Sequence, residues 1–386
     1  MNYIPPLDLT QQYQTLEPDI RQAVTDVLAS GRYINGPVVQ TFEQQFAAYI
    51  GTADCIGCNS GTDALLLALR AYDIGPGDEV ITTPFTFIAT AEMISAVGAT
   101  PVFVDIDAQT YNLDLNQVAA AITDRTKAIM PVHLFGQPVD MTRLMAIAQA
   151  HDLIVIEDCA QATGATWQGQ KVGSFGHVGC FSFYPTKNLG ACGDGGAVTT
   201  SDGAIAEKIR LLRNHGQPQT YCHTVVGINS RLDAIQAAIL TIKLGYLDGW
   251  NAQRQAIADR YYSALSQIDG VDPPRAIAGG QAVWHQYTLR LTAKTADPDL
   301  RQAIRQQLQA QGIGSMIYYP IPLHQQPVYA ALGYPAGQLP VVEQVAQQVL
   351  SLPMFPELTP AQQDHVVSGV RSALADVVTQ VLKTPA

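Results

Sequence analysis

The run Phe181-Ser-Phe-Tyr-Pro-Thr-Lys187-Asn-Leu-Gly-Ala-Cys-Gly-Asp-Gly-Gly196 sets a single lysine among aromatic, small and glycine residues. The next cation along the chain is Lys208, so this is not a solvated charge run. A lysine in such a setting can lose its proton and attack a carbonyl, the activation that Schiff-base lysines need. The alternative is a surface lysine on a loop between two strands. The stretch by itself leaves both open.

Outward from this stretch, residues 53–200 alternate short β-branched runs (79–83, 101–104, 127–132, 153–156) with helical segments (63–71, 89–96, 141–150). That rhythm predicts an α/β fold with a mostly parallel mixed sheet flanked by helices. In such sheets ligands sit beyond the carboxyl ends of the strands. Residues 18–29 and 38–50 read as helices of an N-terminal arm over 1–52, separated by the turn-rich Ser30-Gly-Arg-Tyr-Ile-Asn-Gly-Pro37. After Asn214 the periodicity becomes helical over 232–247 and 252–268. The Pro- and Gly-containing segment 272–280 marks a boundary, giving a large domain over 53–271 and a small C-terminal α+β domain over 272–386. The latter holds a strand at 284–292 and helices at 299–311 and 360–382.

A chain of 386 residues has ample interior to bury. Apolar residues make up 47% and charged residues only 14%, so each charge is informative. The net charge of -11, with no basic block, argues against a general nucleic-acid binder. No apolar run approaches the roughly 18 residues of a membrane span. The start Met-Asn-Tyr-Ile-Pro-Pro-Leu-Asp has no basic segment leading into an apolar one, so a cytoplasmic setting is expected. The scattered cysteines at 55, 58, 159, 180, 192 and 222 suit a reducing compartment. Cys55-Ile-Gly-Cys58 matches a redox or zinc pattern but lacks a second pair, and ordinary strand residues are the better reading.

Three further segments carry chemistry. Cys58-Asn-Ser-Gly-Thr62-Asp63-Ala-Leu is a strand end, a glycine turn and a helix start. Free amides at that junction make either an anion site, to which Thr62 adds a hydroxyl, or a plain helix cap by Ser60 or Thr62. Leu153-Ile-Val-Ile-Glu157-Asp158-Cys-Ala-Gln161 ends an apolar strand with a carboxylate. Asp158 either caps the next segment or holds a proton on a ring nitrogen, and a buried carboxylate needs a partner in any case. Thr82-Thr-Pro-Phe-Thr-Phe87 ends another strand with two aromatics, either of which can cover a flat ring or fill core. Together with Lys187 these are the protein side of pyridoxal-phosphate chemistry.

Eight ordered motifs resemble the signatures of the DegT/StrS family of pyridoxal-phosphate-dependent nucleotide-sugar aminotransferases of fold type I. They are Ser60-Gly-Thr-Asp-Ala-Leu65, Glu157-Asp-Cys-Ala-Gln161, Phe181-Ser-Phe-Tyr-Pro-Thr-Lys-Asn-Leu-Gly190, Gly193-Asp-Gly-Gly196, Arg213-Asn-His-Gly216, Gly227-Ile-Asn-Ser-Arg-Leu-Asp233, Tyr319-Pro-Ile-Pro-Leu-His324 and Ser351-Leu-Pro-Met354. The resemblance implies that Lys187 forms the Schiff base with the cofactor and Asp158 pairs with the pyridine nitrogen. It further implies that Phe87 stacks on the ring, Gln161 lies near the ring hydroxyl, and Gly61, Thr62, Asp63 and Ser182 hold the phosphate. It also implies that Asn229 reaches the phosphate from a second subunit, so that a homodimer shares its active sites. Tyr33, Arg231, Tyr319 and His324 are candidates for the nucleotide sugar. Many members carry His where Thr163 stands here, a departure that leaves the cofactor set untouched. No metal site is implied.

The activity implied is transfer of an amino group from an amino acid, glutamate in most of the family, to a UDP- or dTDP-linked keto-sugar, with a lean toward a C3 ketone. Pyridoxal phosphate becomes pyridoxamine phosphate between the two halves. The rivals are a pyridoxal-phosphate enzyme that dehydrates or deoxygenates a sugar, and a non-catalytic regulatory member. The presence of Lys187 counts against the first, since some such relatives replace the lysine.

Overall fold

A computed structural model describes residues 3–292 and 298–383. Seven strands form the main sheet: β1 (Asp54–Cys58), β2 (Glu79–Thr82), β3 (Thr100–Phe103), β4 (Thr126–Met130), β5 (Ile154–Asp158), β6 (Val178–Ser182) and β7 (Gly196–Thr200). Their spatial order is β1-β7-β6-β5-β4-β2-β3. Only β7 runs against the rest, pairing antiparallel with both β1 and β6. The mixed, mostly parallel sheet expected from the alternation is therefore present.

Helices cover both faces because the strand residues alternate. Along β6, Val178 and Cys180 join a core with Ile56, Val198 and the residues Ala64, Leu65 and Leu67. Those last three lie on helix α3 (Gly61–Ala71). Phe181 and Phe183 take the opposite face and meet Phe46 edge-on, with ring centroids 5.0 and 5.3 Å apart. Phe46 belongs to the helix Pro37–Ile50. Each fully buried phenylalanine contributes about 1.5–3 kcal/mol, so the aromatics that frame Lys187 are what fix its loop to the scaffold. The spacing of three residues likewise sends Cys55 and Cys58 to opposite cores. They cannot form a redox pair, and all six cysteines are free.

A second sheet joins Val271–Asp272, Tyr287–Leu291 and Val349–Leu352, all antiparallel. The helices Pro298–Ala310 and Pro360–Lys383 belong with it: Ile304 and Leu308 of the first and Val366 and Val370 of the second share a core with Leu289 and Leu350. No helix among the described residues is long and apolar enough to cross a membrane.

Three boundaries differ from expectation. The first helix runs from Thr10 to Ser30 with Pro18 inside it. Proline removes only the bond to the Gln14 carbonyl, and Gln14 is exposed to water. The helix expected over 232–247 is Ala234–Leu244, and the next begins at Leu247, five residues before the expected start, after a break at Gly245-Tyr246. Trp284 has a positive φ of 47° and so lies outside the strand, which starts at Tyr287.

Candidate active site

The carboxyl ends of β1, β2, β5 and β6 and the start of β7 share one edge of the sheet. Register pairs Gly196 with both Cys58 and Ser182, which brings Ser60, Gly61 and Ser182 together. The approach is too close for side chains. A Cβ on Gly61 would sit 2.6 Å from the Ser182 Cβ, and one on Gly196 would sit 2.3 Å from the Ser60 carbonyl oxygen. Ser60 caps α3, its Oγ accepting the Asp63 N–H at 3.1 Å. That bond spends the Asp63 amide, expected from sequence as a phosphate donor, and leaves the Gly61 and Thr62 amides with no partner inside the helix. Ser182 Oγ accepts the Tyr184 N–H at 3.3 Å, so its own proton is available to donate. Two amides, two hydroxyls and the positive end of a helix dipole make this concavity an anion cradle.

Lys187 follows β6 on a turn in which its N–H donates to the Tyr184 carbonyl at 2.8 Å. Desolvation pulls its ammonium down to about 8, and the opposing charge of Asp158 limits the fall. Asp158 is buried at the end of β5. Its Oδ1 accepts the Ala160 N–H at 3.1 Å and its Oδ2 accepts the Thr90 hydroxyl at 2.8 Å. The local cap read from sequence is thus real, and it occupies only one oxygen. Burial raises the Asp158 carboxyl, against the Ala160 amide, the Thr90 hydroxyl and the Lys187 charge. Thr90 Oγ lies 3.0 Å from the Thr86 Oγ, which can supply the proton that Thr90 accepts.

The two aromatics after β2 separate cleanly. Phe85 is fully buried among Tyr111, Phe135 and Tyr319, whereas Phe87 is 57% exposed and free to cover a ring. Gln161 accepts the Phe135 N–H at 2.7 Å and donates to the Tyr319 hydroxyl at 3.1 Å. Tyr319 is thereby tied to the segment that follows Asp158. Asn229 and Arg231 lie on the segment leading to the helix Ala234–Leu244, and the Ala234 N–H donates to the Tyr33 carbonyl at 2.8 Å. Asn229 is exposed. Arg231 Nη1 donates to Asn214 Oδ1 at 3.1 Å, and its buried Nε–H has no partner. This group touches the cradle through Ser230, whose hydroxyl lies 3.3 Å from Asn59. His324 is apart from both groups: it is 3% exposed, with Nε2 3.3 Å from Glu343 Oε1 and its ring against Tyr334. Thr163 is buried, with its carbonyl on Asn251.

Several polar residues of this edge had no readable signature in the sequence. Thr90 sits one residue into a helix, with nothing to mark it as the partner of Asp158. Asn188 and His285 are 97 positions apart and meet at 3.2 Å. His133, Glu157 and Cys159 bring three metal-binding atoms within 4.8 Å of one another. There, however, Glu157 already accepts His133 Nε2 at 3.0 Å and the amides of Gly173, Phe175 and Gly176 at 2.8, 2.9 and 2.7 Å. His133 Nδ1 accepts the Val139 N–H, so its Nε2 carries the proton given to Glu157. These hydrogen bonds occupy the His133 and Glu157 ligand atoms and brace β5 directly behind Asp158.

An anion cradle, a carboxylate aimed beyond a strand end, an exposed aromatic and a lysine of lowered basicity are the donor set that pyridoxal phosphate requires. A family model described as the DegT/DnrJ/EryC1/StrS aminotransferase family matches residues 14–371. A "pleiotropic regulatory protein" of Geobacillus stearothermophilus is 50% identical, covering 95% of this chain and 97% of its own. A UDP-N-acetyl-3-dehydro-alpha-D-glucosamine 3-aminotransferase of Acidithiobacillus ferrooxidans is also 50% identical, covering 96% and 98%. The crystal structure of S. venezuelae DesV in complex with a ketimine intermediate superposes with a TM-score of 0.92 at 46% identity, over 96% of this chain and 98% of that one.

Proposed function

Since the chain belongs to the DegT/DnrJ/EryC1/StrS aminotransferase family, we propose that it moves an amino group from L-glutamate to the C3 ketone of a UDP- or dTDP-linked sugar. The activity class is pyridoxal-phosphate-dependent sugar-nucleotide aminotransferase, serving amino-sugar biosynthesis. The observation that carries this reading is that the charges of Lys187 and buried Asp158 act on each other at the strand-end edge that also holds the Gly61 cradle. The 3-aminotransferase name of the Acidithiobacillus relative supports the C3 position.

Bound here, pyridoxal phosphate supplies an aldehyde that carries nitrogen and a ring that draws electron density from the substrate carbon. The Gly61 and Thr62 amides and the Thr62 and Ser182 hydroxyls hold its phosphate, with Asp63 in the same first turn of α3. Asp158 would keep a proton on the ring nitrogen, with its Oδ2 fixed by Thr90 and its Oδ1 by the Ala160 amide. Phe87 covers one face of the ring, and Gln161 lies by its hydroxyl, positioned by Phe135 and Tyr319. Lys187 Nζ would hold the cofactor's aldehyde and would take and return the proton at the reacting substrate carbon, a task suited to an amine that titrates at about 8. Tyr33, Arg231, Tyr319 and His324 are assigned to the sugar side. Of these, His324 acts from behind through Tyr334, since its ring is buried.

Asn229 completes the cradle of a second copy, so the working unit is a homodimer. Its exposure supports this, as does the neighbouring loop, where Tyr221 and Val226 are 91% and 82% exposed. Mixing Lys187→Ala with Asn229→Ala chains should restore activity, because one site of each hybrid is then intact. Absence of recovery in verified hybrids would refute shared sites. The free cysteines agree with a reducing, cytoplasmic setting.

The function is tested by adding glutamate alone and following conversion of the bound cofactor to pyridoxamine phosphate. A panel of C3- and C4-keto sugar nucleotides is then scanned for the one that restores the aldehyde form. Reaction with a C4 ketone alone would overturn the position, and no half-reaction with any amino acid would overturn transamination. The name of the Geobacillus relative keeps one rival in view, a regulatory protein. Purified protein that takes up no pyridoxal phosphate would favour it.

A further inference from the structure

A cavity of about 100 Å³ opens between the Lys187 loop and the second sheet, lined by Thr186, His285, Gln286, Tyr318, Ser351 and neighbouring apolar residues. Thr186 precedes Lys187, and Asn188 follows it. Asn188 Nδ2 donates to Asn251 Oδ1 at 2.8 Å and to the Val283 carbonyl at 2.9 Å, so its Oδ1 is the acceptor toward His285. His285 Nδ1 therefore carries the ring proton across the 3.2 Å contact. The tautomer leaves His285 Nε2 a bare acceptor with no protein partner among the described residues, on a side chain 92% buried by its 8% exposure. Gln286 Oε1 is a second acceptor, buried and unpartnered.

We propose that His285 Nε2 and Gln286 Oε1 form the subsite that receives the primary ammonium group of the amino-acid donor. His285 lines this small cavity with an unpartnered acceptor, and Gln286, whose buried Oε1 has no partner, stands on the same wall; acceptors so placed call for a ligand rich in N–H donors, and an ammonium offers three. Thr186, the residue before Lys187, lines this cavity, Asn188 after it bonds His285, and the Lys187 charge is felt at the His285 ring, so nitrogen held here waits near the lysine it displaces. The histidine must stay neutral to accept, and the surroundings ensure it. Burial, then the charges of Lys187 and Arg254, keep His285 well below its ordinary value. Arg254 donates to the Trp284 carbonyl and is faced by Glu357, and the remaining titratable group on the cavity wall is the Tyr318 hydroxyl. Asp158 faces Lys187 from the other side.

The subsite rests on the transaminase reading, and two variants separate it from a structural role for His285. His285→Asn keeps a group able to bond Asn188 while deleting the acceptor at the Nε2 position. His285→Gln restores that acceptor and drops the Asn188 contact. Loss of a hydrogen bond to a charged group weakens binding by about 10- to 100-fold. The dissociation constant of glutamate, read by spectral titration of the holoenzyme, should rise by that factor in His285→Asn and much less in His285→Gln. Affinity for the keto-sugar, which enters without an ammonium group, should not change in either. Equal glutamate affinity in His285→Asn and wild type, or impairment confined to His285→Gln, would overturn the proposal while the wild-type half-reaction still upholds transamination. Independently of the cofactor, 15N NMR of cofactor-free protein should show His285 protonated at Nδ1 only. A proton on Nε2 would refute the subsite outright.

Discussion

The lowered basicity of Lys187 gives a quantitative prediction for how this protein captures its cofactor. An ordinary lysine titrates at 10.5, and this one at about 8. At pH 7.5 roughly a quarter of the molecules then carry a free amine, against about one in a thousand without the shift, a gain of roughly 200-fold. The amine is the nucleophile, so the rate at which cofactor-free protein condenses with pyridoxal phosphate should climb about tenfold per pH unit and level off near 8. Stopped-flow absorbance between about pH 6 and pH 10 reads this directly. Asp158→Asn removes the charge that holds the ammonium up, so the break should move to lower pH even as the cofactor is held less firmly. The same shift is a stability statement. The unfolded chain keeps its proton up to 10.5 while the folded chain releases it at about 8, so stability rises with pH between those values and is level beyond them. Lys187→Met should abolish that rise. A rate that keeps climbing through pH 9 without a break, or a break unmoved by Asp158→Asn, would refute the reasoning.

Gly61→Ala places a methyl 2.6 Å from the Ser182 Cβ, and overpacking of this kind costs about 1–3 kcal/mol. Fluorescence titration should show cofactor affinity falling about 10-fold or more, with the far-UV spectrum unchanged. Thr90→Val deletes the hydroxyl that holds Asp158 ionised. A hydrogen bond to a charged group is worth about 1.5–3 kcal/mol, so the carboxyl should rise further. The acid limb of cofactor binding should move to higher pH, and an unmoved limb would count against Thr90. Tyr319→Phe removes the hydroxyl that accepts the Gln161 Nε2 hydrogen bond and leaves the Phe85 packing intact. Glutamate turnover should fall only modestly, and a loss as deep as that of Lys187→Ala would show that Tyr319 does more than position Gln161.

The class of fold and the family of chemistry could be read from local patterns in the chain. Strand and helix periods are local, set by residues a few positions apart, so the alternation over 53–200 was legible without coordinates. Lys187, Asp158 and Gly61 could be singled out as candidates because each sits at a strand end or a turn in a short, distinctive run. What only the tertiary structure decided depends on chain segments far apart in sequence. Thr90 meets Asp158 across 68 positions, and His285 meets Asn188 across 97. Neither contact has a local period or spacing that could announce it. The residues alone left Phe85 and Phe87 equivalent, because two aromatics two residues apart differ only in what packs on them, and only the family resemblance pointed to Phe87 before burial separated the two. Pro18 shows the converse error, since its local rule for starting a helix yielded to a position where water could take up the lost bond.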